Sequence, residues 1–277
     1  MRTQSRLRTQ PFSISPDPEL LYLTPALKST MFKVRHVVDN RQGLTAIMGD
    51  VGTGKSSVLR RLWVDYVERA EEFATAILPS PNFPSDFAML KAICSDFGIP
   101  PKRSMVSQEN ELRGFLIELD SAGKTCVLFV DEAQRLKGPH LELIRALLNF
   151  ETNKYKLIQI VLAAQLELRV KLMDQSKKAL RSRIFLPSLL DPLSLPETRE
   201  MIAFRCEKAG IDNPFTDETV EIIYNHTGGV PREVLKVCGF AYILTLQAGE
   251  RIVPVEAVEL AAAEASMHDQ LEPEEMA

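Results

Sequence analysis

The chain has 277 residues, 45% of them apolar and 25% charged, with a formal net charge of −4. That balance is ordinary for a globular protein with room for one large or two small cores, and it argues against a general polyanion binder. No run of about 18 apolar residues occurs, so no membrane insertion is expected. The basic start, with Arg2, Arg6 and Arg8, leads into no apolar core and is not a secretory signal. Cys94, Cys126, Cys206 and Cys238 are far apart and form no metal-binding spacing, so they read as free thiols of a cytoplasmic protein.

In chain order, residues 1–25 form a proline-rich extended segment, with prolines at 11, 16, 18 and 25. Thr24–Pro25 reads as a cap and first helical position, opening a helix to about Asp39 with Leu27, Met31, Val34, Val37 and Val38 at helical spacing. Leu44–Met48 predicts a buried strand, Ser56–Glu72 a helix and Phe73–Leu78 a second strand. Asp86–Phe97 predicts a helix stopped at Gly98, and Gln108–Ala122 another stopped at Gly123. Thr125–Val130 predicts the clearest buried strand, His140–Phe150 a helix and Leu157–Ala164 a further strand. This alternation implies an α/β domain over 26–190, a parallel sheet with helices on both faces. After Leu186 no strand is expected. Leu193–Gly210, Thr216–Thr227, Pro231–Ala248 and Pro254–Ala265 all predict helices. They form a small all-helical domain over 191–265, and an acidic tail over 266–277 follows.

Gly49-Asp50-Val51-Gly52-Thr53-Gly54-Lys55-Ser56 fits the phosphate-loop pattern G-x-x-x-x-G-K-[ST], between a predicted strand and a predicted helix. Glycines allow positive φ and close approach of the backbone to phosphate. Successive N–H groups make an anion nest, and the helix that follows aims its positive end at the same place. Lys55 supplies a point charge to the β/γ-phosphates and the Ser56 hydroxyl a magnesium ligand. Ser57 completes the set of nucleotide contacts.

Cys126–Val130 is an apolar run that ends in Asp131-Glu132. In phosphate-loop proteins such a strand adjoins the loop. Asp131 then holds Mg²⁺ through its water shell, and Glu132 orients and deprotonates the attacking water.

GDVGTGKS paired with VLFVDEAQRL, and followed by GGVPREV, resembles an AAA+ ATPase of P-loop fold with a helical lid. The entry segment PFSISPDPELLYLTPAL, the stretch LIQIVLAAQLELRVKL and the stretch LRSRIFLPSLLDPLSLPETREMI are similar to the ExeA-like (general secretion pathway protein A-like) group. The resemblance runs from Pro11 to about Glu264. It implies ATP as nucleotide, Gln165 as the sensor-1 residue, and Arg183, or else Arg181, as an arginine finger reaching a neighbouring subunit. A homo-oligomer is therefore implied. Arg232 matches sensor 2. Its place in a first helical turn, unfavourable for a cation, independently suggests an anionic partner. Leu21, Tyr22 and Leu23 are candidates for an apolar wall at the adenine.

Two functions stay open on this resemblance. One is an oligomeric regulator on double-stranded DNA, similar to transposition regulators of the TnsC/MuB type that recruit a transposase. The other is an ATPase acting on a cell-envelope secretion or polysaccharide-export component. A nucleotide kinase fits the lid-like tail and Glu132 less well. For DNA the candidate cations are Lys102, Arg103, Arg135, Lys137, Lys171, Lys177 and Lys178, set against the acidic net charge and the lack of a DNA-binding motif.

Overall fold

The structure is a computed structural model that describes residues 10–15 and 17–271, with side chains to 265. The basic residues 1–9 and the acidic residues 272–277 lie outside the described residues. The chain divides into two compact units. One comprises Pro25–Val51 and Lys55–Leu190. The other comprises the described residues up to Thr24, the turn Gly52–Gly54, and the chain from Asp191 onward.

The first unit is built on a five-stranded parallel sheet of β1 (Leu44–Gly49), β2 (Phe73–Leu78), β3 (Thr125–Val130), β4 (Ile158–Ala164) and β5 (Ser188–Leu190), in the order β2-β3-β4-β1-β5. Every residue of β3 and β4 is buried, as expected of strands covered on both faces. The faces alternate with the two-residue period of a strand. Cys126, Leu128 and Val130 join Ile158, Ile160 and Leu162 in one core with α3 (Asp86–Asp96), α4 (Met105–Ser121), α5 (Gly138–Leu147) and α6 (Leu166–Met173). On the opposite face Phe129 meets Tyr66 of α2 (Lys55–Val67), ring centres 6.1 Å apart. There α1 (Pro25–Asp39) also packs against β1 and β4.

In the sheet β4 lies between β1 and the strand carrying Asp131. Several element expectations change. The absence of a strand after Leu186 is overturned. β5 is three residues long, with only Ser188 and Leu190 buried, so it carries no apolar run that a sequence pattern could register. It forms because the outer edge of β1 needs partners. Phe185 N–H donates to the Leu44 carbonyl (2.8 Å), and Ile47, Met48 and Gly49 pair with Ser188, Leu189 and Leu190. The helix expected to reach Glu72 stops at Val67. The Arg69 carbonyl receives both Glu72 N–H (2.9 Å) and Phe73 N–H (3.0 Å), which turns the chain into β2. Helices α4 and α5 start earlier than expected, at Met105 and Gly138; the Ser104 hydroxyl accepts from Ser107 N–H and caps the former. A single helical turn, α7 (Lys178–Arg181), follows α6.

The second unit contains α8 (Leu195–Ala209), α9 (Asp217–Thr227), α10 (Pro231–Gln247) and α11 (Val255–Leu271). Ser194 and Glu197 form a reciprocal capping box at α8. The N-terminal segment is part of this core. Phe12 is buried, edge-on to Phe215 (5.4 Å) and Tyr242 (5.7 Å). Arg205 Nη1 donates to the carbonyls of Pro11 (3.2 Å) and Ser13 (2.9 Å). Burial lowers the Arg205 guanidinium to about 10. The Tyr22 ring lies 5.8 Å from Phe204 and its hydroxyl donates to Glu200, an acceptor carboxylate that pushes Tyr22 up to about 12.

The two glycines that close α9 have different reasons to be glycine. Gly228 has φ +58 and open space where a Cβ would sit. Gly229 has φ +73, and a Cβ there would lie 2.0 Å from the Leu193 carbonyl oxygen, because Gly229 O also accepts from Leu193 N–H (2.9 Å). Gly228→Ala is expected to cost about 1 kcal/mol, the ordinary left-handed penalty. Gly229→Ala should cost about 3 kcal/mol or more, because strain and clash add. Equilibrium denaturation of both variants checks the contrast.

Candidate nucleotide site

The chain leaves β1 at Gly49 and turns through Gly52 (φ +78) and Gly54 (φ +94), both left-handed conformations that side chains disfavour. Val51 N–H is held by its neighbour Asp50 Oδ1 (2.8 Å). Thr53 is buried, and Ser56 and Ser57 are half-buried in the first turn of α2. Lys55 is buried, and its ammonium reaches back across the turn to donate to the Asp50 carbonyl (2.5 Å).

The Ser56 hydroxyl, on α2, donates to Asp131 Oδ1 at 3.0 Å. The same oxygen accepts from Glu132 N–H (2.9 Å), and Asp131 N–H donates to the Leu78 carbonyl of β2 (2.9 Å). Asp131 is buried, and burial raises its carboxyl above the ordinary carboxylate value. The Ser56 and Glu132 N–H bonds oppose that rise, while the Glu132 charge adds to it. A buried carboxylate paired with a hydroxyl at the end of a glycine turn offers oxygen donors of the kind magnesium takes. These residues therefore fit a metal–phosphate ligand.

Glu132 has φ +51, a left-handed backbone unusual for a long side chain. Its Oε2 accepts from Gln134 Nε2 (2.6 Å), and Gln134 Oε1 accepts from Gln165 N–H (3.1 Å) at the start of α6. Lys171, one turn and a half further along α6, donates to the main-chain carbonyls of Gln134 and Leu136. The sequence motif marked Glu132 and Gln165 separately. Gln134, which joins them, was visible only as the last letter of DEAQ.

The structure thus brings together Lys55, Ser56 and Asp131, and separately Glu132 and Gln165 through Gln134. Arg181 and Arg183 are engaged elsewhere. Arg181 Nη1 donates to the α6 carbonyls of Leu172 (3.1 Å) and Met173 (3.3 Å). Arg183 donates to the Ala179 carbonyl (2.9 Å) and to Asn149 Oδ1 (3.3 Å). Arg232, exposed on the first turn of α10, donates its N–H to the Gly52 carbonyl (3.3 Å) inside the second unit. A Cβ on Gly52 would meet Val230 Cγ1 at 2.8 Å and Arg232 Cβ at 3.0 Å, a second reason for glycine there.

Residues 38–172 match the model of an AAA domain. General secretion pathway protein A of Aeromonas hydrophila is 32% identical over 263 residues, covering 94% of this chain and 47% of that protein. Among solved structures, the Aeropyrum pernix ORC1 protein in complex with DNA superposes with a TM-score of 0.70, at 16% identity, over 92% of this chain and 69% of its own. Cdc6p of Pyrobaculum aerophilum gives 0.68, at 18% identity, over 94% of this chain and 71% of its own. Residues 38–172 thus carry an AAA domain, and the chain has the AAA+ P-loop fold. It spans about half the length, or less, of the curated relatives it matches.

Several of the cations considered for DNA have partners of their own. Lys102 pairs with Glu111 (2.8 Å), Lys177 with Glu142 (3.5 Å) and Arg135 with Glu132 (3.9 Å), while Lys171 holds the carbonyls named above. Arg103, Lys137 and Lys178 are exposed. Among the described residues no helix is long and apolar enough to cross a membrane.

A raised carboxyl gives the fold stability that is fully present below the ordinary carboxylate value and is lost as pH climbs through the folded-state value. Asp131→Asn is therefore expected to raise the melting temperature of the nucleotide-free protein at pH 7. The gain should shrink toward zero below about pH 4, where the wild-type carboxyl is protonated in both states. The same variant should lose any magnesium-dependent stabilisation by ATP. Thermal melts across pH, with and without magnesium and ATP, check both.

Proposed function

We propose that this AAA+ chain is a magnesium-dependent ATPase that works as a homo-oligomer. The observation that carries the reading is the 3.0 Å bond from Ser56 to the buried Asp131, set beside the two left-handed glycines and Lys55. Main-chain N–H groups of Gly49–Ser57 cradle the phosphates, and Lys55 exchanges the Asp50 carbonyl for a phosphate oxygen. Ser56 and Asp131 hold the metal. A bound magnesium ion supplies charge neutralisation at the phosphates. Glu132 orients the attacking water and accepts its proton. Gln165 serves as the sensor at the end of β4. Arg183, with Arg181 as the other candidate, serves a neighbouring subunit, and Arg232 serves the chain's own nucleotide.

For the wider role, an ATPase that assembles or energises a cell-envelope secretion or export apparatus has the support of the 32% identical relative, named for general secretion. The four cysteines, all free and buried, suit a cytoplasmic location for this action. A DNA-associated role, as in transposition target selection with a transposase partner, is the second reading. It rests on the exposed Arg103, Lys137 and Lys178. A DNA-stimulated turnover that weakens steeply between 50 and 200 mM salt, roughly the range over which phosphate contacts are lost, would select it.

Glu132→Gln is expected to keep ATP affinity and to lose at least about 100-fold in turnover. Lys55→Ala should lose affinity itself. Calorimetric titration alongside phosphate release separates the two, and unchanged turnover in Glu132→Gln overturns the assignment.

A further inference from the structure

Glu132 sits where no regular element holds it. β3 ends at Val130, and the residue after Asp131 takes a left-handed backbone (φ +51) into a three-residue helical turn, Ala133–Arg135. Its side chain makes no capping bond to that turn. Its carboxylate is half-exposed and is gripped from one side by the Gln134 amide at 2.6 Å. The remaining contact, Arg135 Nε at 3.9 Å, is beyond hydrogen-bond length. A free carboxylate on a flexible stem loses its aim readily, and the aim of a base is what positioning catalysis depends on.

The Gln134 amide is itself fixed at both ends of its chain. Its oxygen accepts from Gln165 N–H (3.1 Å), at the point where β4 gives way to α6. Its own carbonyl, and that of Leu136, receive the Lys171 ammonium from α6. An amide suits this position because it offers one acceptor and one donor side by side, a pairing that a carboxylate, a hydrocarbon or an ammonium does not provide. Orientation of the amide follows from its partners. A main-chain N–H can only donate, so it must face the amide oxygen, and the NH₂ is left to face the carboxylate.

We infer that Gln134 is a positioning residue for hydrolysis, which aims the Glu132 carboxylate by bridging it to the Gln165 main chain. The role rests on the ATPase reading given above. In this role Gln134 acts through Glu132.

Two variants test it. Gln134→Leu removes both ends of the bridge. Gln134→Glu keeps an oxygen for Gln165 N–H and removes the donor to Glu132. Both are expected to lower kcat about tenfold, with KM and the calorimetric affinity for magnesium–ATP held within about twofold, the signature of misaimed chemistry rather than lost binding. In the nucleotide-free protein, hydrogen exchange at the Gln165 amide should quicken in Gln134→Leu and stay slow in Gln134→Glu. In a Glu132→Gln background, followed by single turnover, Gln134→Leu should add little further loss. Wild-type kcat in both folded variants overturns the inference while leaving the ATPase reading intact. Equal losses of kcat and affinity overturn it in favour of a merely structural residue. Absence of turnover in the wild-type protein overturns the ATPase reading and this inference with it.

Discussion

The bond from the Ser56 hydroxyl to the Asp131 carboxylate joins two elements that the sheet keeps apart. β4 lies between β1, which launches the glycine turn, and β3, which ends in the acids. Ser56 spans that gap because it belongs to the first turn of α2, not to β1. A helix that starts directly at the loop carries its early side chains sideways over the carboxyl ends of neighbouring strands, where parallel α/β sheets bind their ligands. β4 ends in two small, fully buried residues, Ala163 and Ala164. The same crossing explains why a carboxyl is buried here at an energetic cost. Asp131 sits at the end of a fully buried strand and is displaced from its ordinary ionisation by burial. A cation and the phosphates it accompanies would relieve the imbalance.

Much of this was legible from the residues. The loop spacing from Gly49 to Ser56 named its own chemistry, because few arrangements other than phosphate binding require two left-handed glycines, a lysine and a hydroxyl in that order. The apolar run into Asp131-Glu132 was equally plain, because a strand buried on both faces has no polar residue until it ends. The four helices of the second unit were also expected, over Leu193–Gly210, Thr216–Thr227, Pro231–Ala248 and Pro254–Ala265, close to where α8 to α11 lie.

What the residues did not disclose has physical causes. Strand order is set by crossover connections and is not encoded in any local pattern, so the insertion of β4 between β1 and β3 had no signal. β5 escaped because its three residues earn their conformation from the unpaired edge of β1 and from nothing in their own composition. The helix after Lys55 was drawn too long because Glu68, Arg69, Ala70, Glu71 and Glu72 are good helix formers. Propensity is a weak prior, and here two N–H groups converging on the Arg69 carbonyl outweigh it. Gln134 was hidden for another reason. Its importance lies in two bonds to residues that are near it only in space, or only through an unusual backbone at Glu132.

The segment from Gln165 to Arg183 ties these observations together. Its first N–H is fixed to Gln134, its Lys171 to the carbonyls of Gln134 and Leu136, and its last carbonyls, at Leu172 and Met173, to Arg181. Arg183 continues the chain of bonds to Asn149, just past α5. Arg181, one of the arginines that the family resemblance singles out, and Gln134, the partner of Glu132, are thus attached to the same short helix. A rigid two-turn helix with hydrogen bonds at both ends cannot shift at one end without moving the other. An exposed apolar stripe on it, Leu166, Val170 and Met173, leaves its outer side free of packing from the rest of the first unit. Few buried apolar contacts make an element easy to displace, and elements that move in response to a ligand are drawn from that class. α6 combines an exposed apolar side with a direct grip on Gln134, while Leu168 and Leu172 hold its inner side in the core.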